Sequence, residues 1–203
     1  MDGGRCHYFS LTEDSSFRLD VPALTEELSH NVDLLILCNP NNPTSSVIPR
    51  NQMRDILDYC KEKSITVLVD ETYVEFAPDV QAVTAIPLTE YYNNIIILRG
   101  ISKFFAAPGL RLGYAICGNK DLLKEINQKK NPWTINSLAA IAGEIMFSDE
   151  EYIRKTRQLI ASERERICQA IRSMGAYQVY ESNCNFVLVK IKKEGLTADQ
   201  IFD

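Results

Sequence analysis

Short apolar runs alternate with longer amphipathic segments along most of the chain. The runs LLIL (34–37), ITVLVD (65–70) and IIIL (95–98) are typical of buried parallel strands, because they are apolar throughout and too short for free-standing helices. LGYAIC (112–117) predicts a fourth strand. Other segments predict helices at 21–29, 49–63, 119–130, 136–147 and 148–174, of which the apolar 136–147 segment is expected to be a packed core helix.

The order of these elements predicts the fold class. A strand–helix–strand order with short connections implies right-handed parallel crossovers, so we expect an α/β fold with a mostly parallel sheet over residues 1–150. Residues 151–203 are expected to hold a long connecting helix, with Gly175 as its C-cap, and the start of a smaller second layer. Two strands at 177–180 and 185–191, and a helix start at 197–203, lie outside the first sheet.

Charge and composition narrow the functional classes. The formal net charge of −5 and the pI near 5.2 argue against a nucleic-acid surface or an anionic membrane partner. No apolar run approaches the roughly 18 residues that a spanning helix needs, and the polar start of the sequence lacks a signal-peptide core. Six cysteines without CxxC pairs favour reduced thiols in the cytoplasm, and two distant histidines, His7 and His30, do not suggest a metal site.

Candidate chemistry follows the third predicted strand, where Ser102 and Lys103 are followed eight residues later by Arg111. Open α/β sheets bind ligands at the carboxyl ends of their strands. A desolvated lysine amine can act as a nucleophile and form a Schiff base, and the planar fork of an arginine suits a phosphate. Taken by itself, however, a Ser-Lys pair after a strand is ordinary loop chemistry.

Polar residues also follow the two preceding strands. NPNNPT (39–44) holds two prolines and three asparagines and predicts a turn, in which Asn42 is free to donate to a ligand or only caps the turn. Asp70 ends the second strand and Tyr73 follows it. Each of these two has a structural alternative, Asp70 as a strand-end cap and Tyr73 as a core aromatic.

Three segments in the same order carry a resemblance to a known family: NPNNPT (39–44), VDETYVEF (69–76) and SKFFAAPGLRLGY (102–114). Over residues 8–203 the chain resembles the pyridoxal-phosphate (PLP)-dependent aminotransferases of class I/II, fold type I. The resemblance implies a three-layer α/β/α large domain with a mostly parallel sheet, the start of a small α+β C-terminal domain, PLP as cofactor, an amino acid and a 2-oxo acid as substrates, and a homodimer.

The resemblance also implies roles for individual residues. Lys103 would form the Schiff base with PLP and move a proton once released, Asp70 would keep the ring nitrogen protonated, and Arg111 would bind the phosphate. Asn42 and Tyr73 would donate to the phenolate oxygen of the ring. These roles make Lys103, Asp70 and Tyr73 the catalytic candidates.

Ser102 joins these residues as a cofactor-binding candidate. Within the family, PWTINSLA (132–139) and SNCNFVLVK (182–190) resemble the branch of histidinol-phosphate aminotransferases and threonine-phosphate decarboxylases. That branch implies that Asn185, with Asn42, lies near the substrate, although Asn185 is equally consistent with a strand start. Trp133 is expected to be a core anchor.

Glu71 and Glu75 are expected to be solvated or structural. The sequence departs from the family at Gly100, where many relatives have a Ser or Thr that contacts the phosphate, and at Ser45, where glycine is usual. Family members also have a ring-stacking N-terminal region and a C-terminal arginine that binds the substrate carboxylate. Neither is recognised here, so we expect a core fragment that transaminates poorly or not at all.

Three functions therefore stay open: a PLP-dependent aminotransferase, a PLP-dependent phosphoamino-acid decarboxylase of the threonine-phosphate type, and a non-catalytic module with the same fold. A dinucleotide-binding enzyme is disfavoured, because the sequence has neither GxGxxG nor GxxxxGK.

Overall fold

A computed structural model of the chain describes residues 3–28 and 31–202. The first part of the fold contains α1 (Val21–Glu27), β1 (Leu34–Cys38), α2 (Arg50–Glu62), β2 (Thr66–Asp70), α3 (Val80–Val83), β3 (Ile95–Gly100) and β4 (Gly113–Cys117). The second part contains α4 (Lys120–Lys129), α5 (Ser137–Ser148), α6 (Glu150–Ser173), β5 (Tyr177–Val179), β6 (Val189–Ile191) and α7 (Ala198–Phe202). Three short 3₁₀ turns lie at Val74–Phe76, Ile86–Glu90 and Pro108–Leu110.

The main sheet has the strand order β1-β2-β3-β4. Strands β1, β2 and β3 are parallel, whereas β4 returns antiparallel to β3. Cys38 pairs with Asp70, and Asp70 pairs with Leu98, so the three parallel strands end at the same level. The predicted α/β fold with a mostly parallel sheet is confirmed, and the loops that follow the three strands share one edge.

The core lies on one face of this sheet. Alternate residues of β2 and β3 (Val67, Val69, Ile95, Ile97) and the apolar side of α2 (Met53, Ile56, Leu57, Cys60) have no exposed surface. Burying each such aliphatic side chain contributes about 1.5–3 kcal/mol. On the opposite face Leu34 and Ile36 of β1 are 46% and 64% exposed. One face thus provides most of the stability that holds the strand ends in place.

The helix ends follow sequence signals. Asp20 and Asp149 accept backbone N–H groups at the starts of α1 and α6, which confirms the start predicted near residue 149. The helix predicted at 49–63 is α2, with Pro49 at its N-cap. Gly175 takes a left-handed backbone, with φ +68°, one residue after the C-cap Met174. The predicted helix ends at Ser29 and Asp203 fall outside the described residues, as does His30.

Two packing predictions were wrong. The predicted core helix 136–147 is α5, but Leu138, Ile141 and Ile145 on it are 75%, 59% and 65% exposed. Trp133, expected to be a core anchor, is 89% exposed. The physical reason is that α5 buries only its small residues, Ala139 and Gly143, the latter close to the side chain of Leu112. Other described residues leave Leu138, Ile141 and Ile145 largely uncovered, whereas Phe147 packs edge-on against Phe105 and Tyr114.

The second sheet consists of β5 and β6, which pair antiparallel. The strand predicted at 185–191 is shorter than expected, and Asn185 lies in a bend before it. Side chains bond the backbone of this bend: the Ser182 hydroxyl donates to the Phe186 carbonyl at 2.5 Å, and Arg164 donates to the Cys184 carbonyl at 3.0 Å. These bonds replace those of a strand ladder.

Three further observations concern the composition-based predictions. Within residues 3–28 and 31–202 no helix is long and apolar enough to cross a membrane. The same residues contain no group of three or more His, Cys, Asp or Glu side chains that could hold a metal ion. All six cysteines are free thiols.

Candidate active site at the strand ends

Three loops converge where the parallel strands end: 39–46 after β1, 71–76 after β2 and 101–111 after β3. The amide of Asn42 donates to the Tyr73 hydroxyl at 3.5 Å, a long hydrogen bond. The ammonium of Lys103 lies 5.7 Å from the centroid of the Tyr73 ring, within the range of a cation–π contact. The structure therefore brings Asn42, Tyr73 and Lys103 together, one from each loop.

Asp70 is held in a fixed orientation by the residue two positions ahead. Its Oδ1 accepts the backbone N–H of Thr72 at 2.9 Å and also the Thr72 hydroxyl. This turn is a common use of aspartate at the end of a strand. Among the described residues no hydrogen bond to Oδ2 is found, so Oδ2 is the oxygen left for a ligand.

A cavity of about 240 Å³ adjoins these residues. The guanidinium and hydroxyl groups in its lining suit an anion. The lining residues are Thr72, Arg99, Gly100, Ser102, Pro108, Arg111, Leu112 and Gly113. Ser102 and Arg111 thus line one cavity, whereas the other four predicted cofactor-binding residues are not among its lining residues: Asn42, Asp70, Tyr73 and Lys103. The guanidinium of Arg111 donates to the Pro108 carbonyl at 2.9 Å.

The backbone around this cavity is tight. Arg111 takes a left-handed conformation, with φ +55°, which costs an ordinary L-residue about 1–2 kcal/mol. A Cβ at Gly100 would lie 3.2 Å from the Leu112 carbonyl oxygen and 3.6 Å from the Gly113 Cα. A hydroxyl-bearing residue at Gly100 would therefore press on the backbone at the start of β4.

A buried ion-pair network lies directly beside the cavity. Arg99 donates to Glu71 Oε2 at 2.7 and 3.0 Å, to Glu75 Oε1 at 2.8 Å and to the Thr84 hydroxyl at 2.8 Å. The Glu71 side chain has no exposed surface, and Arg157 bonds Glu75 from α6. Glu71 is therefore structural rather than solvated. Arg99 had no predicted role, because its partners lie 24 and 28 residues earlier in the chain.

Asn185 is exposed in its bend, and the neighbouring Phe186 makes the contact with the site. The Phe186 ring meets Tyr73 edge-on, with 5.2 Å between ring centroids. Sequence reasoning missed Phe186, since an aromatic in an apolar stretch shows no sign of a partner more than a hundred residues earlier. The loop predicted to approach the substrate thus reaches the site through Phe186.

One buried thiol, Cys184, and one half-buried thiol, Cys38, lie near these loops. Burial is the main cause that raises the pKa of Cys38, at the end of β1, and that raises the pKa of Cys184 to about 11. Both thiols therefore stay protonated at neutral pH, and neither adds a charge or a nucleophile to the site.

The chain is thus an α/β protein with a cavity at the carboxyl ends of its strands, the position where open α/β sheets usually bind ligands. The model of the family described as aminotransferase class I and II matches residues 1–203. The chain belongs to this family, whose members are PLP-dependent enzymes.

Similar proteins carry two different names. The chain is 34% identical over 192 residues to the histidinol-phosphate aminotransferase of Ruminiclostridium cellulolyticum, covering 94% of this chain and 51% of that protein. It is 32% identical over 188 residues to the threonine-phosphate decarboxylase of Salmonella typhimurium, covering 93% and 51%. The chain thus spans about half the length of the curated relatives it matches.

Solved structures confirm the fold. The histidinol-phosphate aminotransferase of Clostridium acetobutylicum superposes with a TM-score of 0.87 at 30% identity, covering 95% of this chain and 56% of that chain. The histidinol-phosphate aminotransferase of Sinorhizobium meliloti, in complex with pyridoxal-5′-phosphate, gives a TM-score of 0.79 at 25% identity, covering 95% and 51%.

Proposed function

We propose that the protein binds PLP at this edge of the sheet and transfers an amino group from an amino acid to a 2-oxo acid. The observation that supports this most directly is the meeting of Lys103, Tyr73 and Asn42, one from each of three strand-end loops, beside the cavity of Arg111 and Ser102. Because the chain spans about half of its relatives, the reaction is assigned to the whole protein. We expect the chain by itself to transaminate poorly.

The donor set around the cavity suits PLP. The Arg111 guanidinium and the Ser102 hydroxyl would bind the phosphate, and Oδ2 of Asp70, free of Thr72, would face the ring nitrogen. The Asn42 amide and the Tyr73 hydroxyl would donate to the ring oxygen. When bound, PLP supplies an electron sink that stabilises negative charge at the substrate Cα.

Lys103 has two tasks in this proposal. Its amine would hold the cofactor covalently, with loss of water, and once a substrate amine takes that place the freed Nζ would move the proton at the substrate Cα. The contact of Nζ with the Tyr73 ring face keeps the amine beside the site. Asp70, oriented by Thr72, would hold the proton on the ring nitrogen.

The substrate side is proposed to include Asn42 and Asn185.

We further propose a division into a PLP-binding domain up to residue 150 and a connecting helix with a small domain from residue 151. A homodimer in the cytoplasm, acting on small molecules, completes the proposal.

Decarboxylation of a phosphoamino acid is the second candidate, because relatives of both names have similar identity. The same residues serve either reaction. The bond held perpendicular to the cofactor ring breaks, Cα–H in transamination and Cα–COO⁻ in decarboxylation. Feeding the whole protein histidinol phosphate or threonine phosphate and measuring 2-oxo acid against CO₂ distinguishes them. Absence of both products, with PLP bound, favours the non-catalytic module.

Cofactor binding is tested by titrating the chain with PLP and, in parallel, with pyridoxal, which lacks the phosphate. We expect saturable binding of PLP, followed by absorbance, that is at least about tenfold tighter than binding of pyridoxal, because Arg111 makes charge-assisted bonds only with the phosphate. Equal affinities would contradict the assignment of the phosphate site.

A further inference from the structure

Ser45 is an unusual residue for its place in the fold. It lies in the 39–46 loop that carries Asn42, it is completely buried, and its backbone is left-handed, with φ +60°. A left-handed backbone favours glycine, because a Cβ there crowds the following carbonyl. A serine at such a buried position needs compensating contacts from its side chain.

Those contacts join Ser45 to the loop between β5 and β6. The Ser45 hydroxyl oxygen accepts the backbone N–H of Asn183 at 2.7 Å and lies 3.2 Å from the Ser182 hydroxyl. The Ser45 carbonyl accepts the Asn183 side-chain amide at 3.0 Å. A glycine would keep only the carbonyl bond. The side chain thus links two loops 138 residues apart in the sequence.

The partner loop is fixed on its other side as well. Arg164 of α6 donates to the Cys184 carbonyl at 3.0 Å and to the Phe76 carbonyl at 3.1 Å. The Ser182 hydroxyl also holds the carbonyl of Phe186, whose ring contacts Tyr73. Contacts therefore run without a break from Ser45 to Tyr73.

We propose that Ser45, Ser182 and Asn183 form a loop latch that sets the 182–186 loop against the Asn42 loop. Ser45 is its positioning residue. Through Phe186 the latch fixes the Tyr73 hydroxyl, and it sets the distance between Asn42 and Asn185. The consequence for cofactor and substrate rests on the proposed function, whereas the link between the two loops does not.

The test uses two readouts on the same variants. Ser45→Ala and Ser45→Gly both remove the hydroxyl, and Ser45→Gly also removes the left-handed Cβ, so it folds even where Ser45→Ala does not. Ser64→Ala is the matched control, since Ser64 also has a left-handed backbone, with φ +59°, but is exposed after α2. Amide hydrogen exchange reports the latch, and PLP binding reports the site.

We expect the Asn183 amide to exchange on the order of tenfold faster in both Ser45 variants, because a buried donor loses its acceptor. PLP affinity should fall several-fold. The midpoint of the pH titration followed by the absorbance of bound PLP should rise, because the Tyr73 hydroxyl would no longer donate to the ring oxygen. Ser64→Ala changes none of these. Unchanged hydrogen exchange at residues 182–186 in Ser45→Gly would overturn the latch. Faster exchange with unchanged PLP affinity and an unchanged pH midpoint would overturn the positioning role of Ser45. If the wild type fails to bind PLP, the proposed function fails, while hydrogen exchange still decides the latch.

Discussion

Asp70 and Glu71 are adjacent carboxylates at the end of β2, yet they lie in two different regions. Glu71 points into the interior, where Arg99 and Thr84 satisfy it. Asp70 lies next to Thr72, a residue of the cavity lining, and Thr72 bonds its Oδ1, while no hydrogen bond to Oδ2 is found among the described residues. Both side chains are carboxylates, so their charge alone does not tell which one stabilises the fold and which one is available to a ligand. A carboxylate whose partners are all within the protein stabilises the fold, and one with a free oxygen beside a cavity is available to a ligand.

The largest effect is expected at Glu71. Glu71→Gln removes the fully buried one of the two carboxylates that pair with Arg99 and leaves only Glu75, so we expect a loss of up to about 3–5 kcal/mol. Asp70→Asn, the same chemical change one residue earlier, should lower the free energy of unfolding by less than about 1 kcal/mol. Urea denaturation measures both. Equal losses for the two variants would show that the two carboxylates do not differ as described.

Replacing Arg111 should affect PLP binding strongly and stability little, the reverse of what we expect for Glu71. Arg111→Met is expected to weaken PLP binding by about ten- to a hundredfold, because a charge-assisted hydrogen bond contributes about 1.5–3 kcal/mol. Stability should change little, since among the described residues the Arg111 side chain makes one hydrogen bond, to the Pro108 carbonyl, and methionine keeps the left-handed strain. The control is pyridoxal, whose affinity should not depend on Arg111. A similar loss for pyridoxal would place Arg111 away from the phosphate.

Thr72→Val keeps the shape of the side chain and removes the hydroxyl bond to Asp70. The backbone bond at 2.9 Å remains, so the carboxylate becomes looser without being released. We expect PLP affinity to fall about fivefold, in line with about 1 kcal/mol for one hydrogen bond. The measurement is the absorbance titration, with Thr72→Ser as the variant that restores binding. Failure of Thr72→Ser to restore it would mean that the methyl group, not the hydroxyl, matters.

Tyr73→Phe should have the smallest effect on stability. Within the described residues its hydroxyl makes one hydrogen bond, at 3.5 Å with Asn42, whereas the ring keeps its contacts with Phe186 and Lys103. We expect a change of less than about 0.5 kcal/mol in the free energy of unfolding. A larger loss of unfolding free energy, measured by thermal or urea denaturation, would show that the Tyr73 hydroxyl stabilises the fold, as Glu71 does.

The strands were predicted well, because the apolar residues within each run are enough to indicate a buried strand. The predicted runs at 34–37, 65–70 and 95–98 became Leu34–Cys38, Thr66–Asp70 and Ile95–Gly100. The meeting of Asn42, Tyr73 and Lys103 also followed from local information, since parallel strands end at one edge. The family resemblance supplied the individual roles.

What the sequence could not show depends on contacts distant along the chain. Apolar composition in α5 predicted a helix but not that Ile141 and Ile145 would stay exposed. Nothing near Ser45 points to Asn183, and nothing near Phe186 points to Tyr73. Such pairs follow from the packing of whole elements, which local patterns do not encode.

The central claim is that Lys103 carries the cofactor, and covalent labelling tests it most directly. The chain is incubated with PLP, reduced with borohydride and digested, and the labelled peptide is identified by mass spectrometry. We predict a label on Lys103 that disappears in Lys103→Ala and persists in Lys120→Ala, a matched change on α4. Labelling at another lysine, or undiminished labelling of Lys103→Ala, would contradict the account.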